Sequence, residues 1–185
     1  MEIIDQKIIP AIRSVQDLEK MFDFSYKYGV FLDVHISRIR SLYALARENG
    51  KQMLLHLDLV QGLKSDDYAT EYICQEIEPY GIISTKGNVI LKAKQKKVKA
   101  IQRIFAIDSS SIEKSYSMIN KINPDYIEIL PGVVPKIIKE IRNNTGKQIF
   151  AGGLIKTIDE VEQAIEAGAI SITTSNIELW KHYNQ

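Results

Sequence analysis

The stretch IFAGGLIKTIDEVEQAIEAGAISITT, residues 149–174, decides the fold because it reads as a strand, a helix and a strand in succession. The apolar runs at 147–151 and 170–174 have the length of buried strands, and 157–166 between them has the period of a helix. The small residues AGA at 167–169 end that helix. Such a unit predicts two neighbouring strands of a parallel sheet.

The same alternation runs through the whole chain. The predicted strands lie near 8–13, 29–34, 52–58, 81–84, 98–104, 125–130, 147–151 and 170–174. The predicted helices lie near 15–27, 37–48, 67–78, 88–96, 110–121, 134–144, 157–166 and 176–182. This pattern favours an α/β fold, a small single-domain TIM (β/α)8 barrel over residues 1–185, although such barrels usually exceed ~200 residues. An open doubly wound sheet is the alternative, but no G-x-G-x-x-G follows the first strand.

Composition and charge limit the classes of partner and compartment. The chain is 45% hydrophobic and 25% charged, and its net charge of +1 gives no overall attraction to nucleic acid or membrane. The single cysteine, Cys74, excludes an internal disulfide and is typical of a reducing compartment. The N-terminus lacks the apolar core of a signal peptide, and no apolar run is long enough to cross a bilayer. We therefore expect a cytoplasmic protein with no membrane partner.

Polar side chains gather at the carboxyl ends of the predicted strands, where barrel sites lie. A period of two residues directs His56 and Asp58 of the third strand into the barrel, while their apolar neighbours face the helices. Periodicity does not decide whether Gln102 or Arg103 faces inward. The predicted mouth of the pocket holds Arg13, Asp33, His56, Asp58, Glu128 and one of Gln102 and Arg103.

A ring of charges at this position need not bind a small molecule. Polar layers inside a barrel can simply satisfy one another, because a buried charge is costly unless it is paired. The motifs DVH and HLD could also bring Asp33, His35, His56 and Asp58 together as metal ligands. His35 is equally well placed in a loop, so we assign no metal.

Two residues without side chains, Gly152 and Gly153, directly follow the predicted seventh strand. In phosphate-binding barrels the anion lies between the loops after strands 7 and 8 and the N-terminus of a short helix. Backbone N–H groups there attract an anion, and a side chain would block its approach. Thr174, Ser175 and Asn176 follow the eighth strand and open a short helix. A tight turn alone would account for the two glycines, and an ordinary helix cap would account for the residues after the eighth strand. Their joint position predicts a phosphate site made of Gly132, Gly152, Gly153, Thr174, Ser175 and Asn176.

Longer stretches carry a more specific signal. The segments IIPAIRS, GVFLDVH, YICQEI followed by GIISTK, AKQKKVKAIQR, DYIEILPGVVP and IFAGGLIKTIDE resemble those of the bacterial glycerol uptake operon antiterminator regulatory proteins. The resemblance runs from about residue 8 to residue 180. It implies a TIM-barrel-like regulator of glycerol metabolism with no catalytic turnover and no cofactor. It further implies that the protein responds to glycerol 3-phosphate and binds an mRNA leader in transcription antitermination.

Glycerol 3-phosphate requires an anion site and hydrogen-bond partners for two hydroxyl groups. The carboxylates at the pocket mouth can accept from the hydroxyls, His56 can donate or accept, and the arginines can bind phosphate in a bidentate manner. With this ligand, the residues predicted to bind the polyol are Arg13, Asp33, His56, Asp58, Arg103 and Glu128.

The stretch LKAKQKKVKAIQR, residues 91–103, is the densest basic segment. It holds the predicted RNA-binding residues Lys92, Lys94, Lys96, Lys97 and Lys99. Lys92 and Lys96 share a helix face and could follow a phosphate backbone, whereas the segment has no aromatic residue for base stacking. A solvated helix face accounts for the composition equally well, and the resemblance alone favours RNA. A homo-oligomer is left open.

The competing function is a TIM-barrel enzyme, a lyase or isomerase acting on a small phosphorylated polyol or sugar. His56 with Asp58 or Glu128 would be its acid–base pair. Schiff-base chemistry would need a lysine inside the pocket. No inward strand-end position carries one, and Lys86 is the nearest loop candidate.

Overall fold

The computed structural model describes residues 4–184, so residues 1–3 and 185 of the predicted domain lie outside the described part. Eight parallel strands pair in chain order, and the eighth closes on the first, which confirms the predicted TIM barrel. The strands are β1 Ile8–Ile12, β2 Tyr28–Phe31, β3 Gln52–His56, β4 Gly81–Ser84, β5 Lys99–Phe105, β6 Tyr126–Leu130, β7 Gln148–Gly152 and β8 Ala169–Thr174. Several are one to three residues shorter at the carboxyl end than the sequence predicts.

One main helix follows each strand. The helices are α1 Val15–Phe22, α2 Ile39–Glu48, α3 Asp67–Tyr72, α4 Gly87–Gln95, α5 Ser109–Ile122, α6 Pro135–Thr145, α7 Ile158–Glu166 and α8 Ile177–Tyr183. A π-helical turn, Ile73–Ile77, extends α3, and two single 3₁₀ turns, Ile36–Arg38 and Leu57–Leu59, follow β2 and β3.

The first helix is shorter than predicted. Instead of reaching residue 27, α1 ends at Phe22. The buried ammonium of Lys51 binds the backbone carbonyl oxygens of Phe24 and Tyr26 at 2.7 and 2.9 Å. The Tyr26 hydroxyl donates to the carbonyl of Trp180 at 2.6 Å. These tertiary contacts override the helical pattern of the segment.

Two apolar layers form the core. The larger layer lies between the helices and the outer face of the barrel and includes Cys74 and the fully buried Trp180. The smaller layer fills the barrel interior with Ile9, Ala11, Tyr28, Val30, Leu32, Leu54, Ile83, Ile101, Tyr126 and Phe150. These interior residues establish which side of each strand faces inward. Among residues 4–184, no helix is long and apolar enough to span a membrane.

Candidate functional site

A cavity of about 420 Å³ opens at the carboxyl ends of the strands. Its apolar side comes from β1 and β2, with Ala11, Val30 and Leu32. Its polar side comes from β5, β6 and the loops after β7 and β8. Since these loops lead into the N-termini of α7 and α8, the polar side carries unpaired backbone donors as well as charged side chains.

A buried ion pair lies in the wall of this cavity. Arg103 and Glu128 are register partners on β5 and β6, and Arg103 Nε donates to Glu128 Oε2 at 2.6 Å. Thr173 donates to the other carboxylate oxygen at 2.8 Å. The Glu128 side chain is 1% exposed and that of Arg103 12% exposed. The terminal nitrogens of Arg103 have no hydrogen-bond partner among the described residues, so a fixed cation faces the cavity.

The structure decides which strand-5 residue faces inward. Arg103 lines the cavity, whereas Gln102 lies on the opposite face and donates to the carbonyls of Ser84 and Thr85 at 3.1 and 3.0 Å. Gln102 therefore holds the β4–α4 connection and is not part of the cavity wall.

The loop after β7 supplies unpaired backbone donors. Gly153 and Leu154 both have positive φ, +75° and +63°, and with Ile155 they line the cavity. Within residues 4–184, the N–H groups of these three residues donate no hydrogen bond. The next two N–H groups, of Lys156 and Thr157, donate to the Glu160 carboxylate at 2.7 and 3.0 Å. The three amides nearest the cavity thus remain for an anion.

The loop after β8 forms the adjacent wall. Thr174, Ser175 and Asn176 line the cavity as predicted, although their ligand role stays a prediction. Asn176 caps α8 through the N–H of Glu178 at 3.0 Å, and its amide donates to the carbonyl of Lys156 at 3.1 Å. The two loops are therefore tied into one surface.

Gly132 and Gly152 do not line the cavity, in contrast to the predicted phosphate site. Gly132 donates its N–H to the carbonyls of Gly152 and Gly153 at 2.6 and 3.1 Å. A Cβ on Gly152 would collide with Thr173 Oγ1 and lie 3.4 Å from Glu128 Oε1. Both glycines thus allow the close packing of the strands behind the site.

The prediction that Asp33 faces the pocket is wrong. The interior residues Val30 and Leu32 establish the inward side of β2, and that strand already ends at Phe31. Asp33 has a φ of +51° and forms an ion pair with Arg13. Arg13 itself lines the cavity, so Asp33 contacts the site only through this arginine at the rim.

Asp58 is also absent from the cavity wall. Since β3 ends at His56, Asp58 lies in the following 3₁₀ turn, where a period of two no longer applies. It accepts hydrogen bonds from Ser84 Oγ, Thr85 N and Thr85 Oγ1 at 2.6, 2.7 and 2.9 Å. Burial alone would raise the pKa of Asp58, but these hydrogen bonds together lower it below its usual value. Asp58 therefore fixes the loop after β4.

His56 faces the barrel interior, as predicted, but it is 2% exposed and does not line the cavity, in contrast to its predicted place at the pocket mouth. Neither ring nitrogen has a hydrogen-bond partner in the described part of the chain. Burial and the positive charge of Arg103 lower the pKa of His56 to about 4, so the ring is neutral at pH 7. Asp58 and Glu128 bind other donors, and the acid–base pair expected of an enzyme is not formed among the described residues.

The four candidate metal ligands are not brought together. His35 is exposed, and its Nδ1 contacts Ser37 Oγ at 2.8 Å, whereas His56 is buried inside the barrel. From residue 4 to residue 184, no group of three or more His, Cys, Asp or Glu side chains could hold a metal ion.

Lys156 lines the cavity although the strand-end pattern does not single it out. That pattern points to lysines at the ends of strands, and Lys156 lies three residues beyond Gly153 in the loop. Lys86, the loop candidate, instead donates to the carbonyl of Ser65 at 3.1 Å. The proximity of Lys156 to the double glycine is the signal that could have identified it.

The basic segment lies away from the cavity, where α4 leads into the amino-terminal end of β5. Lys92 and Lys96 share a helix face, as predicted, and both pair with Glu71, Lys92 at 3.6 Å. Lys94 donates to the carbonyl of Asn123. Lys97 is exposed with a φ of +61°, and the Lys99 ammonium lies 5.7 Å from the centre of the Tyr126 ring. The five lysines thus divide into two that share the carboxylate of Glu71 and three that form no ion pair with a described residue.

Comparisons with known proteins add an independent result. A family model described as glycerol-3-phosphate responsive antiterminator matches residues 8–180. A glycerol uptake operon antiterminator regulatory protein from Listeria monocytogenes is 46% identical, with a TM-score of 0.95 and 98% of each chain covered. A glycerol uptake operon antiterminator-related protein from Thermotoga maritima is 26% identical, with a TM-score of 0.86 over 96% of this chain and 99% of its own. The Escherichia coli protein YgcP, described as uncharacterized, is 28% identical over 94% of this chain and 91% of its own.

Proposed function

The chain belongs to the glycerol-3-phosphate responsive antiterminator family, and from that membership we propose that it senses glycerol 3-phosphate and binds an mRNA leader of glycerol-utilisation genes. In this role the cavity at the carboxyl ends of the strands holds the ligand without transforming it. RNA binding then depends on whether the cavity is filled.

One observation carries the ligand assignment: three consecutive unpaired amides and three cations line the same cavity. The amides are those of Gly153, Leu154 and Ile155, and the cations are Arg13, Arg103 and Lys156. Backbone N–H groups at a helix N-terminus bind phosphate directly, and a guanidinium adds a bidentate contact. Thr174, Ser175 and Asn176 complete the proposed phosphate site from the facing loop.

The glycerol hydroxyls then extend toward the ion pair. Glu128 accepts two hydrogen bonds within the protein, and a carboxylate has about four lone-pair positions, so it can accept from a hydroxyl as well. The unpartnered ring of His56 supplies a further donor or acceptor next to this pair. Arg13 closes the rim, and its pairing with Asp33 holds it there.

Calorimetric titrations with glycerol 3-phosphate, glycerol and inorganic phosphate, side by side, test this site. We expect the tightest binding for glycerol 3-phosphate, weaker binding for phosphate and the weakest for glycerol, since the phosphate makes the charged contacts. Equal affinity for glycerol and glycerol 3-phosphate would contradict the anion site.

The second part of the proposal, RNA binding, is tested with the leader transcript. We expect saturable binding that requires glycerol 3-phosphate and weakens with salt, because phosphate contacts release counterions. The absence of RNA binding at saturating ligand and low salt would refute the proposed function.

An enzyme remains the competing function because Lys156 brings an amine to a phosphate-binding cavity. His56, however, lacks a carboxylate partner for general acid–base work. Prolonged incubation of glycerol 3-phosphate with the protein, followed by phosphorus NMR, separates the two functions. A sensor leaves the ligand unchanged, whereas the appearance of product would favour the enzyme.

A further inference from the structure

Two lysine ammonium groups converge on one asparagine at the amino-terminal end of the barrel. Lys94 donates to the backbone carbonyl of Asn123, and Lys147 donates to its side-chain Oδ1. Asn123 caps the end of α5 with a left-handed φ of +52°, which turns its carbonyl and side chain toward both lysines. Burial, and next the charge of Lys94, lower the pKa of Lys147. Two like charges are therefore held close together.

This positive charge has no ion-pair partner in the described part of the chain. Neither Lys94 nor Lys147 forms an ion pair with any residue of the described range 4–184. The charge of Asp125 acts on Lys147 in the opposite sense and favours its ammonium form, but the Asp125 carboxylate accepts its hydrogen bond from the N–H of Ala100 at 2.8 Å and forms no ion pair with either lysine. By contrast, Glu71 binds both Lys92 and Lys96 on the neighbouring face of α4.

Two more lysines closely follow Lys94 along the chain. The N–H of Lys97 donates to the carbonyl of Lys94 at 2.9 Å, and Lys99 begins β5 beside Ala100. We name the group around Asn123 the Asn123 patch; it consists of Lys94, Lys97, Lys99 and Lys147.

We propose that the Asn123 patch binds the phosphodiester backbone of the leader RNA. This inference rests on the proposed function and specifies where the RNA is held. Ammonium groups are point charges that suit phosphate oxygens, and the aromatic ring beside Lys99, that of Tyr126, is buried, so a base cannot stack on it. The patch therefore positions the RNA, and sequence recognition takes place elsewhere on the protein.

The patch and the ligand cavity lie at opposite ends of the same three strands. β5 begins at Lys99 and carries Arg103, and β6 follows Asn123 and carries Glu128. β7 follows Lys147 and leads to Gly153. Changes at the cavity can therefore reach the patch through adjacent, directly paired strands.

A charge-removal experiment tests the patch. The variant Lys94→Gln with Lys147→Gln is compared with a matched control, Lys92→Gln with Lys96→Gln, whose lysines are already paired with Glu71. Binding of the leader transcript and of poly(U) is measured by fluorescence anisotropy across a salt series at saturating glycerol 3-phosphate. We expect the patch variant to bind both RNAs more weakly, with a salt slope smaller by about 2, and the control to change little.

Three further measurements separate the outcomes. Glycerol 3-phosphate affinity, measured by calorimetry, reports that the patch variant is folded and should be unchanged. The variant Lys94→Arg with Lys147→Arg should retain RNA binding because it keeps the charges, and the exposed single change Lys97→Gln should lower the salt slope by about 1. If Lys94→Gln with Lys147→Gln and the single change Lys97→Gln both keep the RNA affinity and salt slope of the wild type, the assignment of the Asn123 patch is overturned while the proposed function stands. Failure of the wild-type protein to bind the leader would overturn the proposed function together with it.

Discussion

Gly153 meets two requirements at once, a φ of +75° and a position in the cavity wall. Gly146, with a φ of +65° at the end of α6, meets only the first, and apart from its neighbours in the chain no atom lies within 4 Å of where its Cβ would be. The two glycines therefore allow the cost of backbone strain to be separated from the cost to the site.

We predict that Gly153→Val and Gly146→Val each lower the free energy of unfolding by about 1–3 kcal/mol, because a side chain at positive φ is strained. Only Gly153→Val should weaken glycerol 3-phosphate binding. Urea unfolding and calorimetry measure the two effects. Equal ligand affinity in both variants would show that Gly153 is an ordinary turn residue.

Glu128 is expected to be the most sensitive residue of the cavity wall. Changing it to Gln leaves the largely buried Arg103 without its counter-charge, which should destabilise the protein by about 3 kcal/mol. Thr173→Val removes only one hydrogen bond to the carboxylate and should cost about 1.5 kcal/mol. Chemical denaturation of both variants gives the comparison, and a larger loss for Thr173→Val would contradict the role of the ion pair.

The lowered pKa of His56 predicts how the free energy of unfolding depends on pH. Its pKa is about 4 in the folded protein and 6.5 in the unfolded chain, so between these values the unfolded state binds more protons. Acidification from pH 6.5 to 4 should therefore remove roughly 3 kcal/mol of stability through this residue. His56→Leu should flatten the dependence, while the exposed His182→Gln should not. Parallel wild-type and His56→Leu curves in urea would disprove this assignment.

Single residues also show where sequence reasoning holds and where it stops. The period of two places His56 correctly because the residue still belongs to β3. It fails for Asp33 because Val30 and Leu32, the apolar residues of the opposite parity, face the barrel interior and not the helices. It fails for Asp58 because β3 ends before this residue and a 3₁₀ turn follows. Where a strand ends is decided by tertiary hydrogen bonds, such as those to Asp58, which a single sequence does not reveal.

The β7–α7 connection is the element on which the proposed phosphate site depends. Its Thr157 side chain accepts from the N–H of Glu160 at 3.2 Å, and Glu160 in return binds the N–H groups before α7. This reciprocal cap fixes the loop that carries Lys156. Asp108 and Ser111 form the same kind of cap at the start of α5, away from the cavity wall.

We predict that Thr157→Ala and Asp108→Ala each destabilise the protein by about 1 kcal/mol, the usual cost of losing an N-cap. Glycerol 3-phosphate affinity should fall only in Thr157→Ala, because only that cap orders the proposed anion site. Thermal unfolding with and without ligand measures both effects. If glycerol 3-phosphate affinity falls in Asp108→Ala as much as in Thr157→Ala, the loss of affinity comes from a general loss of rigidity and not from the cap beside the cavity.

The basic segment shows a similar limit at the scale of a helix. Sequence alone treats its five lysines alike, because their spacing is all it shows. Glu71 on α3 and Asn123 after α5 divide them, and along the chain they lie 25 residues from Lys96 and 29 residues from Lys94, respectively. Only the folded arrangement of three helices separates the lysines that pair with Glu71 from those that have no ion-pair partner.

At the scale of the whole molecule, the count of strands and helices was enough to predict the closed barrel. A parallel strand must be followed by a crossover, and eight such units close on themselves. The cavity was predictable only as a location, since its walls depend on the register between β5 and β6 and on the loops after β7 and β8.

Thermodynamic linkage between the ligand cavity and the Asn123 patch, at opposite ends of the barrel, gives a prediction for the intact protein. If glycerol 3-phosphate raises RNA affinity by some factor, bound RNA must raise glycerol 3-phosphate affinity by the same factor. Two calorimetric titrations, with and without saturating leader RNA, measure it. If the affinity for glycerol 3-phosphate is the same with and without RNA, ligand binding and RNA binding are not coupled.

The separation of the cavity from the Asn123 patch has a consequence for timing. RNA held at the amino-terminal end does not cover the cavity mouth, so the small molecule can enter and leave while a transcript stays bound. The protein would then follow the metabolite concentration throughout the synthesis of one message. Its effect on that message would stay reversible until the polymerase has passed the leader.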